Sequence, residues 1–295
     1  MKNVIVFGSE STGMAVCQKI IEECPSVSGG GGENILFCVD NNPKRWNETI
    51  KVDCKNGTHH FKVYSPKEIL KTDFDKIIVA SLSGYEAIPM QLQSEYGIAR
   101  EKIDNSYCRI VVLSRLIFLE SFAKECKIKS LDGSVAELGV FQGEFAKKIN
   151  EFFPNKTLYL FDTFEGFDGR DLAKEDKETQ KLGTYFSDTS AQLVIDKMPY
   201  PKNVIIKKGW FPESAVGLDN EKFCFVNIDT DLYDSILSGL EYFYPKMVRG
   251  GIILIHDYYS LGYIGVRQAV SEFCEKYNLN SFPIGDDISI AIQKV

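Results

Sequence analysis

Acidic residues and glycines with the spacing of a cofactor site follow two short apolar runs. Glu137 lies near the end of one run, Gly139 and Gly143 come next, and Asp162 ends the following run. Glycine lets the backbone approach a ligand closely, and an acid at a strand end can bind both hydroxyls of a ribose through charge-assisted hydrogen bonds. The order acid, glycine, glycine, acid therefore predicts a site for S-adenosylmethionine.

A second group of acids follows two later apolar runs. One run ends in Asn227-Ile228-Asp229-Thr230-Asp231, and the next ends in His256-Asp257-Tyr258. If the two strands are neighbours, Asp229 and Asp257 converge, which is costly for like charges unless a cation lies between them. This favours a metal at Asp229 and Asp257. The alternative makes His256 an ordinary core histidine, and we expect Asp231 to be the N-cap of the following helix.

An earlier glycine turn, Gly8-Ser9-Glu10-Ser11-Thr12-Gly13, also follows an apolar run. A dinucleotide fingerprint requires glycine where this chain has Glu10, and a carboxylate there would repel a phosphate. Asp40 ends the next run, as a ribose-binding acid would. We interpret this turn as structural or as the remnant of a nucleotide-recognition site. Residues 1 to about 108 resemble Rossmann-like modules fused to enzymes of bacterial surface-sugar synthesis.

Parallel sheets are needed to bring these strand ends together. Short, fully apolar strands that alternate with helices predict an α/β fold with sheets covered on both faces. The predicted strands are 4–7, 35–39, 77–80, 135–138, 158–161, 204–206, 223–228 and 252–255, followed by a hairpin of 281–284 and 288–292. The predicted helices after residue 130 are 145–153, 191–197, 232–247 and 266–277.

A long amphipathic helix is predicted between the two series of strands. Leu113, Leu116, Leu119 and Phe122 recur there at helical spacing. The predicted organisation is a Rossmann-like domain over residues 1–108, a connecting helix over 109–130 and a second Rossmann-like domain over 131–295. The apolar face of the connecting helix could serve self-association, so a homo-oligomer is one expectation.

Length and composition limit the classes of protein. The 295 residues predict about two domains, and 44% hydrophobic with 25% charged residues is typical of a globular chain. A net charge of −7 argues against a nucleic-acid partner. The eight cysteines form no C-x-x-C pair, and we expect neither a signal peptide nor a membrane span. These features predict a reduced, cytoplasmic setting.

Several motifs in the second half of the chain together resemble one family. They are Asp162-Thr163-Phe164-Glu165-Gly166-Phe167, Ser187-Asp188-Thr189-Ser190, Gly209-Trp210-Phe211, Asp229-Thr230-Asp231-Leu232-Tyr233-Asp234-Ser235, Tyr244-Pro245-Lys246, Gly250-Gly251 and Gly265-Val266-Arg267-Gln268-Ala269-Val270. Over about residues 109–295 the chain is similar to the macrocin O-methyltransferase family. The resemblance implies a class I methyltransferase fold, S-adenosylmethionine as cofactor, and magnesium-assisted methylation of sugar hydroxyls.

The resemblance also implies roles for individual residues. Those expected to bind the methyl donor are Glu137, Gly139, Phe141, Gly143, Asp162, Thr163 and Asp188. Those expected to bind metal and act in catalysis are Asp229, His256 and Asp257. The family usually has two adjacent acids where this chain has His256 and Asp257. Magnesium prefers oxygen ligands. With His256 in place of an acid, three kinds of site are possible: a weaker magnesium site, a site for a softer metal, or a histidine base without metal.

Two other functions remain open at the level of the sequence. A sugar oxidoreductase or epimerase would use a nicotinamide cofactor in the first domain, and Glu10 disfavours it. A non-catalytic binding protein would keep a degenerate donor site. The charged segment 165–187 reads as a solvated loop or as a lid over the site. Trp210 and Tyr258 could stack on a sugar or an adenine.

Overall fold

The structure is a computed structural model that describes residues 1–23, 32–173, 175, 186–260 and 262–295. Contacts divide the chain into two compact units. The first is Met1–Leu113 with Ser260–Gly262, and the second is Ser114–Tyr259 with Tyr263–Val295. Residues 174 and 176–185 of the charged segment 165–187 lie outside the described residues, as do all but Gly32 of the glycine-rich residues 28–32, which the sequence predicts to be a surface loop.

The first unit is built on a mostly parallel sheet. Its strands are β1 (Lys2–Phe7), β2 (Glu33–Val39), β3 (Thr49–Cys54), β4 (Gly57–Tyr64), β5 (Lys76–Val79) and β6 (Ile103–Asp104), and its first helices are α1 (Ser11–Glu23) and α2 (Ala87–Ser94). The strand order is β3-β4-β2-β1-β5-β6, and only β3 and β4 pair antiparallel. This is the expected Rossmann-like arrangement, extended by a hairpin.

The β3–β4 hairpin was not among the predicted elements. Ile50 and Val52 are buried, whereas Lys51 and Asp53, which alternate with them, are exposed. This alternation with a period of two is the pattern of a strand with one solvated face. It differs from the continuous apolar runs that mark the buried parallel strands.

A long helix, α3 (Ser106–Ile128), connects the two sheets in sequence. Its buried apolar side chains are Cys108, Val111, Leu119, Phe122 and Cys126. The predicted stripe was wrong at Leu113, which is 39% exposed. Self-association through this helix stays a prediction.

The second unit contains the larger sheet. Its strands are β7 (Ser134–Leu138), β8 (Leu158–Asp162), β9 (Val204–Lys208), β10 (Phe223–Ile228), β11 (Met247–Ile255), β12 (Ser281–Pro283) and β13 (Ile290–Gln293). Its helices are α4 (Glu144–Phe152), α5 (Gly169–Leu172), α6 (Ala191–Lys197), α7 (Tyr233–Phe243) and α8 (Ile264–Tyr277). The order is β12-β13-β11-β10-β7-β8-β9, parallel from β11 to β9, with β13 antiparallel to both of its neighbours. The predicted parallel sheet and terminal hairpin are confirmed.

Register in the centre of this sheet aligns the loops that carry the predicted site. Leu138, Ile228 and Ile255, which end β7, β10 and β11, are hydrogen-bonding neighbours across the sheet and are almost fully buried. Because they are parallel, the residues that follow them emerge at one edge, where open α/β sheets bind ligands. Among the described residues, no helix has the length and apolar character needed to cross a membrane. The cytoplasmic setting stays a prediction.

Candidate active site

The loop after β7 lies against the backbone of the loop after β10. Gly139 has a φ of +84°, and a Cβ at this position would lie 2.0 Å from the carbonyl oxygen of Asp229. The Asp229 amide donates to the carbonyl oxygen of Leu138 at 2.8 Å. Only glycine combines this conformation with so close an approach. We call residues 139–143, which are predicted to bind the methyl donor, the donor loop, and Asp229, His256 and Asp257 the acid cluster. Gly139 therefore joins the donor loop to the acid cluster.

Asp162, at the end of β8, holds the donor loop in shape. Its Oδ2 accepts hydrogen bonds from the amides of Val140 at 2.7 Å and Phe141 at 2.9 Å. Its Oδ1 accepts one from the amide of Phe164 at 2.6 Å. Oδ1 thus has a lone pair left for a ligand hydroxyl. The acid that was predicted to bind ribose also shapes the loop beside it.

Three other residues predicted to bind the methyl donor, Phe141, Gly143 and Asp188, lie where α4 begins and where the chain leads into α6. Gly143 is the residue before α4, and its Cβ would meet the Val194 side chain of α6 at 2.9 Å. The Phe141 carbonyl accepts a hydrogen bond from the Thr189 hydroxyl. Gln142 donates to the Asp188 carboxylate at 3.1 Å. The segment before α6 is therefore bound to the donor loop.

Thr163 makes its own local turn. Its hydroxyl donates to the Gly166 carbonyl at 2.7 Å and accepts from the Glu165 amide at 3.2 Å. The structure therefore gives its hydroxyl a structural use next to Asp162. A role for Thr163 in binding the donor stays a prediction.

Asp229, His256 and Asp257 form one cluster at the ends of β10 and β11. His256 Nδ1 lies 3.1 Å from Asp229 Oδ1 and 2.6 Å from Asp257 Oδ2. The His256 amide donates to the Ile228 carbonyl at 3.0 Å, which fixes the loop after β11 beside β10. The predicted convergence of Asp229 and Asp257 is thus what the structure contains.

Charge coupling controls protonation in the cluster. Burial and Arg115 act to lower the pKa of His256, but Asp229 and Asp257 outweigh them and raise it to about 10. Burial would raise the pKa of Asp229, yet His256 and Arg115 hold it well below its usual range. In the absence of a cation, the cluster is therefore an ion pair between imidazolium and carboxylate at neutral pH.

The spacing in this cluster suits a divalent cation. One ligand atom from each of Asp229, His256 and Asp257 lies within 4.8 Å of the other two. The donor set is two carboxylates and one imidazole, and imidazole is a better ligand for manganese, iron or zinc than for magnesium. His256 Nδ1 is also the atom that lies within hydrogen-bond distance of both Asp229 and Asp257. A cation and the Nδ1 proton would therefore compete for this nitrogen. The residues fit a divalent ion, with magnesium the less suited choice.

Asp231 does not cap the next helix, so that expectation was wrong. The residue before α7 is Leu232, and this helix end has no side-chain cap. Asp231 instead has a left-handed backbone, with a φ of +63°. Burial and the neighbouring Asp257 and Asp229 raise its pKa well above the ordinary value. Its carboxyl therefore interacts with the acid cluster.

Sequence reasoning missed Arg115, which lies on α3. Its Nη2 donates to Asp229 Oδ2 at 3.1 Å and to Asn227 Oδ1 at 2.9 Å. Asn227 in turn donates to Glu137 Oε1 at 2.9 Å. The signal was its spacing, four residues from each of Val111 and Leu119, which places Arg115 on the buried side of the helix.

Glu137 is 2% exposed, and its Oε2 has no hydrogen-bond partner among the described residues. Burial, followed by repulsion from Asp229, raises its pKa well above the ordinary value. An unsatisfied buried oxygen costs free energy unless a ligand or water meets it. This orphaned atom at the start of the donor loop fits the binding of a ligand with a hydrogen-bond donor.

The first glycine turn is closed by its own residues. Asp40 Oδ2 accepts from the Ser9 amide at 3.1 Å and from the Ser9 hydroxyl at 2.7 Å. Arg45 donates to the Ser9 hydroxyl at 3.2 Å and to its carbonyl at 2.9 Å. A Cβ on Gly8 would lie 2.2 Å from the Ala80 carbonyl oxygen. Glycine and acid are therefore used for packing, as the sequence predicted.

The aromatic residues named as stacking candidates have neighbours of their own. The Trp210 indole donates to Asp171 at 3.0 Å, and the Arg170 guanidinium lies 4.0 Å from its ring centroid. Tyr258 meets Tyr259 edge to face at 4.9 Å. Stacking of either ring on a ligand stays a prediction.

A cavity of about 350 Å³ lies near the acid cluster. It is lined by Tyr259, Pro283, Gly285, Asp287 and Ser289. Since Ile255 at the end of β11 pairs with Ile290 at the start of β13, this cavity is at the same sheet edge as His256. The Ser289 hydroxyl is buried and has no partner.

The fold and the site define a class I S-adenosylmethionine-dependent methyltransferase. Two solved structures show the same fold, both with a TM-score of 0.52. The O-methyltransferase NovP is 20% identical, and the match covers 62% of this chain and 80% of NovP. The calicheamicin methyltransferase CalS11 is 14% identical, with coverage of 72% and 91%.

Sequence comparison gives the family. Residues 104–289 match the profile of macrocin-O-methyltransferase (TylF), and the chain belongs to this family of O-methyltransferases. Residues 1–104 match a profile described as C2185-like, N-terminal.

Two curated relatives align over 190 residues each. One is the 8-demethyl-8-(2,3-dimethoxy-alpha-L-rhamnosyl)-tetracenomycin-C 4'-O-methyltransferase of Streptomyces olivaceus, which is 24% identical over 60% of this chain and 71% of the relative. The other is the mycinamicin III 3''-O-methyltransferase of Micromonospora griseorubida, which is 23% identical over 58% of this chain and 72% of the relative.

Proposed function

We propose that this enzyme transfers the methyl group of S-adenosylmethionine to a hydroxyl of a sugar, a nucleotide sugar or a glycan precursor. The observation that carries the proposal is the contact between donor loop and acid cluster, made where Gly139 lies against Asp229. The names of the two curated relatives, one of which specifies a rhamnosyl compound, support a sugar acceptor.

The donor loop would bind S-adenosylmethionine along the edge of the sheet. The free lone pair of Asp162 Oδ1 supports a ribose contact, and the orphaned Glu137 Oε2 supports a contact with an N–H or O–H donor. The full set proposed for the donor is Glu137, Gly139, Phe141, Gly143, Asp162, Thr163 and Asp188. The negative charge of this edge also suits a sulfonium.

Methyl transfer is an in-line displacement. The acceptor oxygen forms a bond to the methyl carbon as the carbon–sulfur bond breaks, so the sulfonium becomes a neutral thioether. The protein aligns the two reactants and accepts the hydroxyl proton. The Asp257 carboxylate is the proposed proton acceptor, because it lies 2.6 Å from His256 Nδ1 and the His256 imidazole, whose pKa is raised to about 10, already carries its proton at neutral pH.

We also propose a divalent cation, magnesium or a softer ion, held by Asp229, His256 and Asp257. When bound, such an ion lowers the pKa of a coordinated hydroxyl and takes over the carboxylates that otherwise hold an imidazolium. Asp229 and Asp257 carry the charge needed for this site, and His256 sets its preference among metals.

The cavity beside the cluster is the proposed acceptor site. Its lining combines an aromatic ring, Tyr259, with the carboxylate of Asp287 and the buried hydroxyl of Ser289. Sugars are recognised by such combinations of flat apolar surface and precisely placed polar groups. The unpartnered Ser289 hydroxyl gains a partner if a sugar hydroxyl binds there.

The test is a mass-spectrometric screen of nucleotide sugars and simple glycosides with isotope-labelled methyl donor, run in EDTA and with added Mg²⁺ or Mn²⁺. We expect transfer of one labelled methyl group, stimulated by Mn²⁺ at least as well as by Mg²⁺. Asp229→Asn should reduce the rate about 100-fold or more. Asp219→Asn removes an exposed acid in the same unit and should leave the rate unchanged.

Calorimetry with S-adenosylmethionine tests whether the protein binds the proposed methyl donor. Absence of binding to the folded protein would end the proposal. Full activity in EDTA would remove the cation from the proposal and leave the Asp257 carboxylate, paired with the His256 imidazolium, to accept the proton.

A further inference from the structure

One arginine links the acid cluster to the start of the donor loop. Arg115 Nη2 donates to both Asp229 Oδ2 and Asn227 Oδ1, and the Arg115 side chain is only 12% exposed. Asn227 is fully buried and donates to Glu137. The connected residues belong to α3, to the end of β10 and to β7.

The aromatic ring of Phe145 fixes the guanidinium in place. Phe145 belongs to α4, and its ring centroid lies 4.0 Å from the guanidinium carbon of Arg115. A flat guanidinium can stack on a ring while donating in its own plane, which a lysine ammonium cannot do. The position of the charge is therefore set by packing on one side and by Asp229 on the other.

The contact between Arg115 and Asp229 uses only one of the two carboxylate oxygens, so that each oxygen has a different partner. Oδ2 faces Arg115 at 3.1 Å, and Oδ1 faces His256 at 3.1 Å. The carboxylate cannot rotate without losing one of these charge-assisted hydrogen bonds. Its Oδ1 is therefore presented to the cluster in a single orientation.

The arrangement is not the one that satisfies Arg115 best. Its Nε is buried and has no hydrogen-bond partner in the part of the chain that the structure describes, although a buried donor without a partner is costly. The side chain thus reaches Asp229 and Asn227 while one of its own donors stays unused. This favours a role in holding Asp229 over a role in stability alone.

We propose that Arg115 is a positioning residue for methyl transfer. It holds Asp229 in the orientation that the acid cluster requires, and it fixes the Asn227 amide that bonds Glu137. The inference rests on the proposed function for its kinetic consequence. Its structural part, the dependence of the cluster on Arg115, can be tested without turnover.

The kinetic test compares Arg115→Met and Arg115→Lys with Arg109→Met, which removes an exposed arginine from the same helix. With the acceptor found in the screen, Arg115→Met should lower kcat about 10-fold to 100-fold, because small misplacements of a reacting group have effects of this size. The melting temperature should fall below that of Arg109→Met, because Asp229 loses a buried partner, whereas donor affinity, measured by calorimetry below the melting temperature, should fall much less than kcat. Arg115→Lys, which keeps the charge, should recover part of kcat.

The second measurement is the nitrogen NMR signal of the histidine rings. The chain has three histidines, and His59 and His60 both lie in the first unit. In Arg115→Met the His256 ring signals should move while those of His59 and His60 stay in place. If the wild type transfers no methyl group but the His256 signals move, the proposed function fails and the positioning role stands.

Two results would overturn the inference. One is an unmoved His256 signal together with a kcat equal to that of Arg109→Met. The other is a loss of donor affinity as large as the loss of kcat, with neither recovered in Arg115→Lys, since that pattern belongs to a residue needed only for folding.

Discussion

The two glycine turns share a local design and differ in what approaches them. In each, a buried strand leads into a glycine turn and a helix, and an acid at the end of the next strand accepts amide hydrogen bonds from the turn. In the first turn Arg45 then bonds Ser9 from outside. In the second turn the loop that follows a neighbouring strand brings Asp229 against Gly139.

Neither the glycine nor the strand-end acid by itself indicates a ligand-binding site. Gly8 and Gly139 are both required because a carbonyl oxygen lies where a Cβ would be. Asp40 and Asp162 both stabilise the turn beside them. What distinguishes the second turn is the acid cluster at its side, so the proposed chemistry depends on residues of the neighbouring strands.

Replacing the first glycine of each turn with alanine should have the largest effect. Gly139→Ala places a methyl group 2.0 Å from the Asp229 carbonyl, and Gly8→Ala places one 2.2 Å from the Ala80 carbonyl. Each should cost about 3 kcal/mol or more of unfolding free energy. Only Gly139→Ala should also abolish binding of the methyl donor, measured by calorimetry below its melting temperature.

Loss of methyl-donor binding by folded Gly8→Ala as well would contradict the claim that only the second turn is needed for that binding. Circular dichroism at the temperature of the calorimetry serves as the control for folding. Gly217→Ala tests the conformational cost alone, because Gly217 has a φ of +85° and nothing within 4 Å of its Cβ position.

A medium effect is expected when each strand-end acid loses its charge. Asp162→Asn weakens three amide hydrogen bonds and the proposed ribose contact, so donor affinity should fall about 10-fold to 100-fold. Asp40→Asn should destabilise the protein by about 1–2 kcal/mol and leave donor affinity unchanged. Chemical denaturation and calorimetry measure the two quantities. Equal donor affinity in both variants would contradict the assignment of Asp162.

The smallest effect is a dependence of stability on pH that only the second turn should show. In EDTA, the raised pKa of His256, about 10 against 6.5, gives a stabilisation that is complete below pH 6.5 and is lost as the pH rises towards 10. His256→Asn should therefore cost about 2 kcal/mol at pH 6 and little at pH 10.

Arg45→Gln is the matched change in the first turn. Arginine keeps its charge across this range, so the cost of losing its bonds to Ser9 should be the same at both values of pH. Denaturant titrations at pH 6 and pH 10 measure the four differences. A constant cost for His256→Asn would show that its imidazole does not pair with Asp229 and Asp257.

The sequence predicted the parts of the fold that continuous apolar runs specify. The apolar run from Phe223 to Ile228 coincides with β10, and the predicted helix 191–197 coincides with α6. The β3–β4 hairpin was missed because only one of its faces is buried, so charged residues interrupt the apolar pattern. The predicted helix 232–247 ends early at Phe243, where Pro245 interrupts it and β11 then begins at Met247.

The sequence also placed most of the site, because strand ends in one parallel sheet share an edge. Asp229, His256 and Asp257 were found in this way. Asp231 was misjudged because its position before a helix is typical of a cap, whereas its backbone turns the carboxyl towards Asp257. Arg115 was missed because it comes from a helix 22 residues before Glu137, and no local motif marks a contact between them.

The position of Arg115 limits how such enzymes can be recombined. Contacts change from the first unit to the second between Leu113 and Ser114, two residues before Arg115 and inside α3. A gene fusion cut at the start of β7 would leave the catalytic half without the arginine that holds Asp229. Exchange of the N-terminal half between homologues should therefore succeed only when the crossover falls before Arg115, so that the helix carrying it is inherited with the catalytic half.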